Sequence, residues 1–190
     1  MRRSVLLAAS FVCLFTMALP ARGQSEPASS SKNALSTWLR SAYTSRKNDL
    51  IKSAENVPDE IYGLRPGPQR EVRTYGQIIG HLANFNYLWC SQARQEKNPG
   101  QGKDFEKLAT RAELTQALKD AFNYCDPVYA NLTDAAGLTV ISVTQENGKQ
   151  TQVPRMSLLI LNLTHNNEHY GNLVTYMRIK SIVPPSSQPR

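Results

Sequence analysis

Histidine and cysteine are both scarce in this sequence, with three residues of each among 190. Acidic residues are fewer than basic ones, 15 against 22, which gives a formal net charge of +7. Glycine-rich phosphate-binding motifs and the G-x-S-x-G motif of serine hydrolases are missing. These absences exclude disulfide-packed miniproteins and the enzyme classes that depend on those motifs. A hydrophobic content of 41% with 19% charged residues is instead typical of one ordinary globular domain.

The one long hydrophobic run is at the N-terminus. Two arginines precede an apolar run at residues 5–19, and the small residues Ala21 and Gly23 follow it. That order is typical of a secretory signal peptide. A run of about 15 apolar residues is also short of the roughly 20 that a membrane span needs. We therefore expect residues 1–23 to be cleaved and the protein to be exported, to the periplasm or the outside, without a membrane anchor.

Removal of the signal peptide lowers the positive charge. Residues 1–23 contain three arginines and no acidic residue, so the rest of the chain has a net charge of +4. Basic residues such as Arg40, Arg46 and Lys47 lie on one predicted helix, but acidic residues are interleaved elsewhere. A solvated surface explains this pattern better than a nucleic-acid interface does. We expect a small-molecule substrate, not yet identified, and no nucleic-acid partner.

Two cysteines remain after cleavage, Cys90 and Cys125. An exported protein matures in an oxidising compartment, which favours a disulfide between them. Such a bond would close a loop of about 35 residues and stabilise the fold by roughly 3 kcal/mol in the chain-entropy description. The alternative is a pair of buried free thiols that act as small hydrophobic residues.

Apolar residues at helical spacing predict four amphipathic helices of about 20 residues. The first covers about residues 33–54, the second about 74–95, and the fourth about 154–179 with Pro154 as its first residue. The third begins at a capping box formed by Thr110 and Glu113, and Pro127 should kink or shorten it near its end. Four such helices with long connections predict an all-α four-helix bundle.

The remaining segments are predicted to connect or flank the helices. Residues 24–32 are rich in Ser, Pro and Ala and are interpreted as a flexible leader, and residues 186–190 as a tail. Residues 56–70 and 98–109 are predicted connecting loops. Residues 135–153 contain a β-branched patch and a turn, which fits either a small hairpin before the last helix or a long crossover. The bundle domain is thus expected at residues 33–185.

The three histidines lie on the predicted core faces. His165 and His169 are four residues apart, which places both on one side of the fourth helix. His81 shares a stripe of the second helix with Ile78 and Phe85. Imidazoles inside a bundle need polar partners, and a divalent metal is one, because neutral imidazole is a common transition-metal ligand. The pattern therefore favours a three-histidine metal site with a position open for water or substrate, and hydrogen-bonded core histidines are the alternative.

Several of these segments resemble the DinB-like family of metal-dependent four-helix bundles. The similarity is carried by TYGQIIGHLANFN at residues 74–86 and HNNEHYGNL at residues 165–173. Arg65-Pro66 and residues 179–185 also resemble that family, and the similarity extends over about residues 33–185. It implies a DinB-like bundle in which His81, His165 and His169 bind a divalent metal, usually zinc or nickel, with manganese or iron as further options.

The same resemblance suggests an enzyme, since the family includes thiol-dependent S-transferases, a mycothiol-dependent isomerase branch and hydrolases. We hypothesise a metal-dependent hydrolase or thiol S-transferase in which the metal activates a water or a thiol. Export argues against a low-molecular-weight thiol as co-substrate. The alternative function is a non-catalytic metal- or small-ligand-binding bundle, and a bundle whose histidines have no remaining role is a third option. The resemblance also makes a homodimer an expectation.

Two polar residues near the histidines are candidates for a supporting catalytic role. Asn84 lies about one turn from His81 and is expected to touch a bound water or orient a ligand. Glu168 precedes His169 and is expected to accept a hydrogen bond from a ligating imidazole or to act as a general base. The alternative for Asn84 is a polar boundary of the helix, and the alternative for Glu168 is a solvated side chain without a site role.

Overall fold

The computed structural model describes residues 32–145 and 147–189. Four long helices are α1 (Ala34–Asn56), α3 (Tyr75–Arg94), α4 (Arg111–Ala130) and α6 (Arg155–Ile179). Two short helices are α2 (Asp59–Tyr62) and α5 (Asp134–Leu138), and 3₁₀ turns occur at Phe105–Lys107 and Pro185–Ser187. Strands β1 (Val140–Thr144) and β2 (Gln150–Pro154) form one antiparallel hairpin between α5 and α6. The predicted all-α four-helix bundle is therefore confirmed.

The structure differs from the sequence expectation in local details. Residues 135–153 include a hairpin, so the crossover alternative is wrong, with Val140 opposite Pro154 and Thr144 opposite Gln150. Pro154 is the N-cap residue of α6, and the first helical residue is Arg155. Pro127 lies within the last turn of α4, which continues to Ala130. Helices α2 and α5 were not predicted, because four or five residues are too few to show a helical period.

Two of the long helices begin at reciprocal capping boxes. The Thr74 hydroxyl accepts from the backbone N–H of Gln77, whose side chain accepts from the Thr74 N–H. Thr110 and Glu113 make the same pair of bonds at the start of α4, as predicted. Each box satisfies two backbone donors that a helix start otherwise leaves unpaired. They fix where α3 and α4 begin, and therefore which α3 residues face the bundle interior.

A disulfide between Cys90 and Cys125 joins α3 to α4 inside the core. The two Cα atoms are 5.4 Å apart, and both side chains are fully buried. The Cα–Cα distance fits the ordinary geometry of such a bond. The disulfide is compatible with export. No helix in the described part of the chain is long and apolar enough to cross a membrane, and the predicted signal peptide and most of the leader lie outside the described residues.

A buried amide network joins α3 to α6. The Asn86 side-chain oxygen accepts from the amides of Asn162 and Asn166, each within 3.2 Å, and the Asn86 amide donates to Asn166. The Tyr129 hydroxyl extends the network from α4 to Asn162 and to the Leu159 carbonyl. All three asparagines are at most 1% exposed. Because an unpaired amide in this position is costly, the network specifies how α3 and α6 are aligned next to the histidines.

Candidate metal centre

The three histidines meet between α3 and α6. His81 comes from α3, whereas His165 and His169 are one turn apart on α6. The Nε2 atom of His165 is 3.1 Å from the Nε2 of His81 and 3.1 Å from the Nε2 of His169. One nitrogen from each ring lies within 4.8 Å of the other two. The cluster is largely buried, since His81 is 7% and His169 8% exposed.

The histidines are neutral at physiological pH. The pKa of His165 is lowered to about 3, mainly by burial and next by the neighbouring His169 and His81. Burial likewise lowers the pKa of His169 to about 4, with the His81 charge as the next cause. The pKa of His81 is also lowered by burial, against the opposing effect of its hydrogen bond to Glu106. Neutral rings carry the nitrogen lone pairs that a metal ion needs.

The geometry fits a divalent metal ion. A zinc ion at about 2.0–2.1 Å from each nitrogen in tetrahedral geometry would separate its ligand atoms by about 3.3 Å, close to the two short Nε2 distances. A proton on His165 Nε2 can point well at only one of its two neighbours. A cation interacts with all three lone pairs at once. The three histidines can therefore hold a metal ion, as expected from their spacing.

His81 is held by a residue that sequence reasoning missed. The Glu106 carboxylate lies 2.7 Å from His81 Nδ1 and accepts a hydrogen bond from Arg73 Nε at 2.9 Å with its other oxygen. A proton on Nδ1 directs the Nε2 lone pair of His81 towards the other histidines, the arrangement in which carboxylates support metal-bound imidazoles. Glu106 lies in a predicted polar loop, and nothing in its sequence surroundings marks it as part of a site.

The turn at residues 105–107 packs closely against Gly80 of α3, and this brings Glu106 next to His81. A Cβ atom at Gly80 would lie 2.5 Å from the Phe105 carbonyl carbon and 2.7 Å from the Glu106 nitrogen, and it would also overlap the Phe105 oxygen. Only glycine therefore allows this turn to rest on α3 directly before His81. Asn84 fixes the same turn, because its Oδ1 accepts from the Phe105 N–H at 3.1 Å and its amide donates to Asp104.

Aromatic rings hold His165. The ring centres of Phe85 and Trp89 are both 4.8 Å from the His165 ring, and Phe85 is also 4.5 Å from His81. His165 Nδ1 is buried and has no hydrogen-bond partner within the described residues. Packing against the two aromatic rings therefore orients this imidazole, in place of the second hydrogen bond that His81 has.

His169 borders a cavity of about 410 Å³. Arg73 and Asn172 line the same cavity, and the Asn172 amide is 3.3 Å from His169 Nδ1. Glu168 lines it as well, but within the described residues its carboxylate makes no hydrogen bond to the histidines. A small molecule in this cavity would lie next to the histidine cluster.

The other predicted site residues are placed as follows. Asn84 supports the turn that carries Glu106 and does not contact the cluster directly. Glu168 was expected to accept a hydrogen bond from one of the imidazoles. In the structure Glu106 makes a bond of this kind, with His81. The catalytic roles of Asn84 and Glu168 stay predictions. Cys90 is in the disulfide and is not a member of the histidine cluster.

Comparison with known proteins agrees with the architecture. The chain superposes on a DinB-like protein from Bacillus subtilis with a TM-score of 0.61 at 21% identity, covering 80% of this chain and 99% of that one. A DinB-like protein from Bacillus cereus gives 0.61 at 17% identity, covering 77% and 93%. A conserved Enterococcus faecalis protein gives 0.59 at 12% identity, covering 76% and 96%. At these identities the similarity shows the fold alone.

Sequence comparison gives the family. Among curated protein sequences none matches this chain. The sequence model of the DinB superfamily matches residues 42–173, a span that includes all three histidines and Glu106. More than two thirds of the chain lies in this match. The chain therefore belongs to the DinB superfamily.

Proposed function

We propose that this protein is an exported, metal-dependent enzyme that hydrolyses a small molecule. The supporting observation is that three neutral imidazoles meet beside a cavity that a ligand can enter. His165 Nε2 lies 3.1 Å from the Nε2 atoms of both His81 and His169. A divalent ion in such a site supplies Lewis-acid chemistry, polarising a carbonyl and making water acidic enough to ionise near neutral pH.

The surrounding residues have distinct tasks in this proposal. Glu106 keeps the Nδ1 proton on His81 and so keeps the Nε2 lone pair available. Glu168 lies beside His169 in the cavity and is the proposed general base that takes a proton from the attacking water. Arg73 and Asn172 line the same cavity and orient the polar part of the substrate. The disulfide supports water over a thiol as nucleophile, because low-molecular-weight thiols are scarce where disulfides persist.

Metal analysis tests the first step. The protein is purified without a histidine tag, and its zinc, nickel, manganese and iron contents are measured. We expect about one equivalent of one of these metals in the native protein and little in His165→Ala. Thr164→Ala is the matched control, since this exposed neighbour donates its hydroxyl to the Leu161 carbonyl of its own helix and should leave metal content unchanged. Metal-free protein whose thermal stability does not respond to any of the four metals would overturn the proposal.

Activity measurements test the second step. A panel of esters and amides is supplied to the metal-loaded protein, with and without an added thiol. We expect turnover without thiol, its loss on chelation, and a lower kcat in Glu168→Gln with unchanged metal content. Turnover that requires thiol would show that the protein is an S-transferase and not a hydrolase. Metal binding without any turnover would favour the non-catalytic binding protein.

Export is part of the same proposal. The predicted signal peptide should be removed when the full chain is expressed in a bacterium, so that the mature protein in the periplasm or medium begins at Gln24. Mass spectrometry of the intact protein after cell fractionation measures this directly. A cytoplasmic protein that retains residues 1–23 would contradict it.

A further inference from the structure

An apolar groove of about 450 Å³ lies between α3, the β-hairpin and α6. Its walls come from three parts of the fold that meet only in the tertiary structure. The main apolar lining residues are Phe85 and Trp89 of α3, Val143 and Val153 of the hairpin, and Leu158 and Leu161 of α6. The groove is therefore a feature of the whole bundle and not of any single helix face.

The groove lies beside the histidine cluster. Phe85 and Trp89 line it, and the rings of both residues also contact His165. On α3 the residues His81, Phe85 and Trp89 follow one another at intervals of four, which places them along one side of the helix. On α6 Leu161 precedes His165 by the same interval. Both helices thus present apolar side chains directly next to the histidines.

The lining chemistry favours an apolar ligand group. Leu161 is 50% exposed, and it lines a concave surface although it is not part of the buried core. Among the polar side chains at the groove, the Gln92 amide is already engaged with the Thr144 carbonyl at 3.4 Å. A polar group placed against the apolar walls would lose water without gaining a hydrogen-bond partner there. Pockets of a few hundred Å³ with mostly apolar walls and few polar groups are typical of small-molecule sites.

We propose that this groove is a substrate subsite and binds an alkyl or aryl group. The substrate class is then a small molecule whose reacting polar group lies at the histidines and whose apolar substituent extends between the hairpin and α6. This inference rests on the proposed function. A second protein copy or another segment of the chain is a weaker occupant, because the groove is concave and two of its wall residues, Phe85 and Trp89, contact His165.

Straight-chain hydroxamic acids test this subsite. The hydroxamate group binds the metal, and the tail is lengthened stepwise from acetohydroxamic to octanohydroxamic acid, with affinities measured by calorimetry on zinc-loaded protein. Each buried CH₂ should tighten binding about threefold to fourfold until the groove is filled. Leu161→Gln should weaken the dependence on chain length. Leu138→Gln is the matched control, since Leu138 is 68% exposed and does not line the groove.

Two further measurements separate this inference from the proposed function. Zinc binding without any effect of chain length would overturn the subsite and leave the metal site intact. In chelated protein, 1-octanol should still shift the fluorescence of Trp89, measured in a Trp38→Phe background that removes the other tryptophan. If the protein takes up no metal at all, the metal-dependent function is overturned, and the octanol shift would still support the groove. An affinity that falls as protein concentration rises would show that a second copy covers the groove.

Discussion

Gly80→Ala tests whether the turn that carries Glu106 positions His81. The added Cβ would lie 2.5 Å from the Phe105 carbonyl carbon and 2.7 Å from the Glu106 nitrogen, and ordinary contacts begin at 3.4 Å. The turn must therefore retreat by about 1 Å, since α3 is fixed by its capping box and by the disulfide. The same displacement would lengthen the 2.7 Å bond between Glu106 and His81 beyond hydrogen-bond range.

The expected result is a metal affinity weakened by about tenfold to a hundredfold, the usual effect of losing the carboxylate partner of a metal-binding histidine. Affinity is measured by competition with a chromophoric chelator, and folding is checked by circular dichroism. Glu106→Ala, which removes the acceptor, should weaken metal binding to a similar extent. The combination with Gly80→Ala should add little, because both changes remove the same hydrogen bond.

Gly171→Ala provides the matched control for the glycine substitution. Gly171 is a helical glycine two residues from His169, and beyond the neighbouring backbone of α6 no atom of the described residues lies within 4 Å of an added Cβ. Alanine should stabilise α6 by up to about 1 kcal/mol and leave metal affinity unchanged. If Gly80→Ala also binds metal with native affinity, the argument that this contact positions His81 is wrong.

Three other predictions concern stability. Replacing Cys90 and Cys125 together by alanine should lower the free energy of unfolding by about 3–4 kcal/mol, and a urea midpoint that reducing agent does not change in the native protein would contradict this. Asn86→Ala removes the partner of two buried amides and should destabilise the protein by about 3 kcal/mol, whereas a loss below about 1 kcal/mol in urea unfolding would show the network to be unimportant. In metal-free protein the folded pKa values of His165 and His169, about 3 and about 4, lie below the unfolded value of 6.5, so the unfolded chain binds the extra protons. The free energy of unfolding should therefore fall as the pH drops from about 6.5 towards 4, and constant stability across this range in chelator-treated protein would refute the assignment.

The sequence alone determined the long helices and the candidate histidine ligands, because both depend on short-range regularities. Apolar residues at helical spacing define the four long helices, and the Thr110 capping box marks where α4 begins. The four-residue interval between His165 and His169 places them on one side of α6 whatever the rest of the chain does. The third histidine lies on the core face of another helix, so bundle packing brought it to the same place.

The tertiary structure decided which residues support and surround those histidines. Glu106 and not Glu168 contacts His81, because a loop 25 residues further along the chain packs against Gly80. Neither Gly80 nor Glu106 is marked by a periodic pattern, so the local sequence does not indicate that the two residues come into contact. The groove beside Trp89 likewise needs α3, the hairpin and α6 together. Local periodicity therefore determined the candidate ligands, whereas contacts between distant segments decided their orientation and the space open to a substrate.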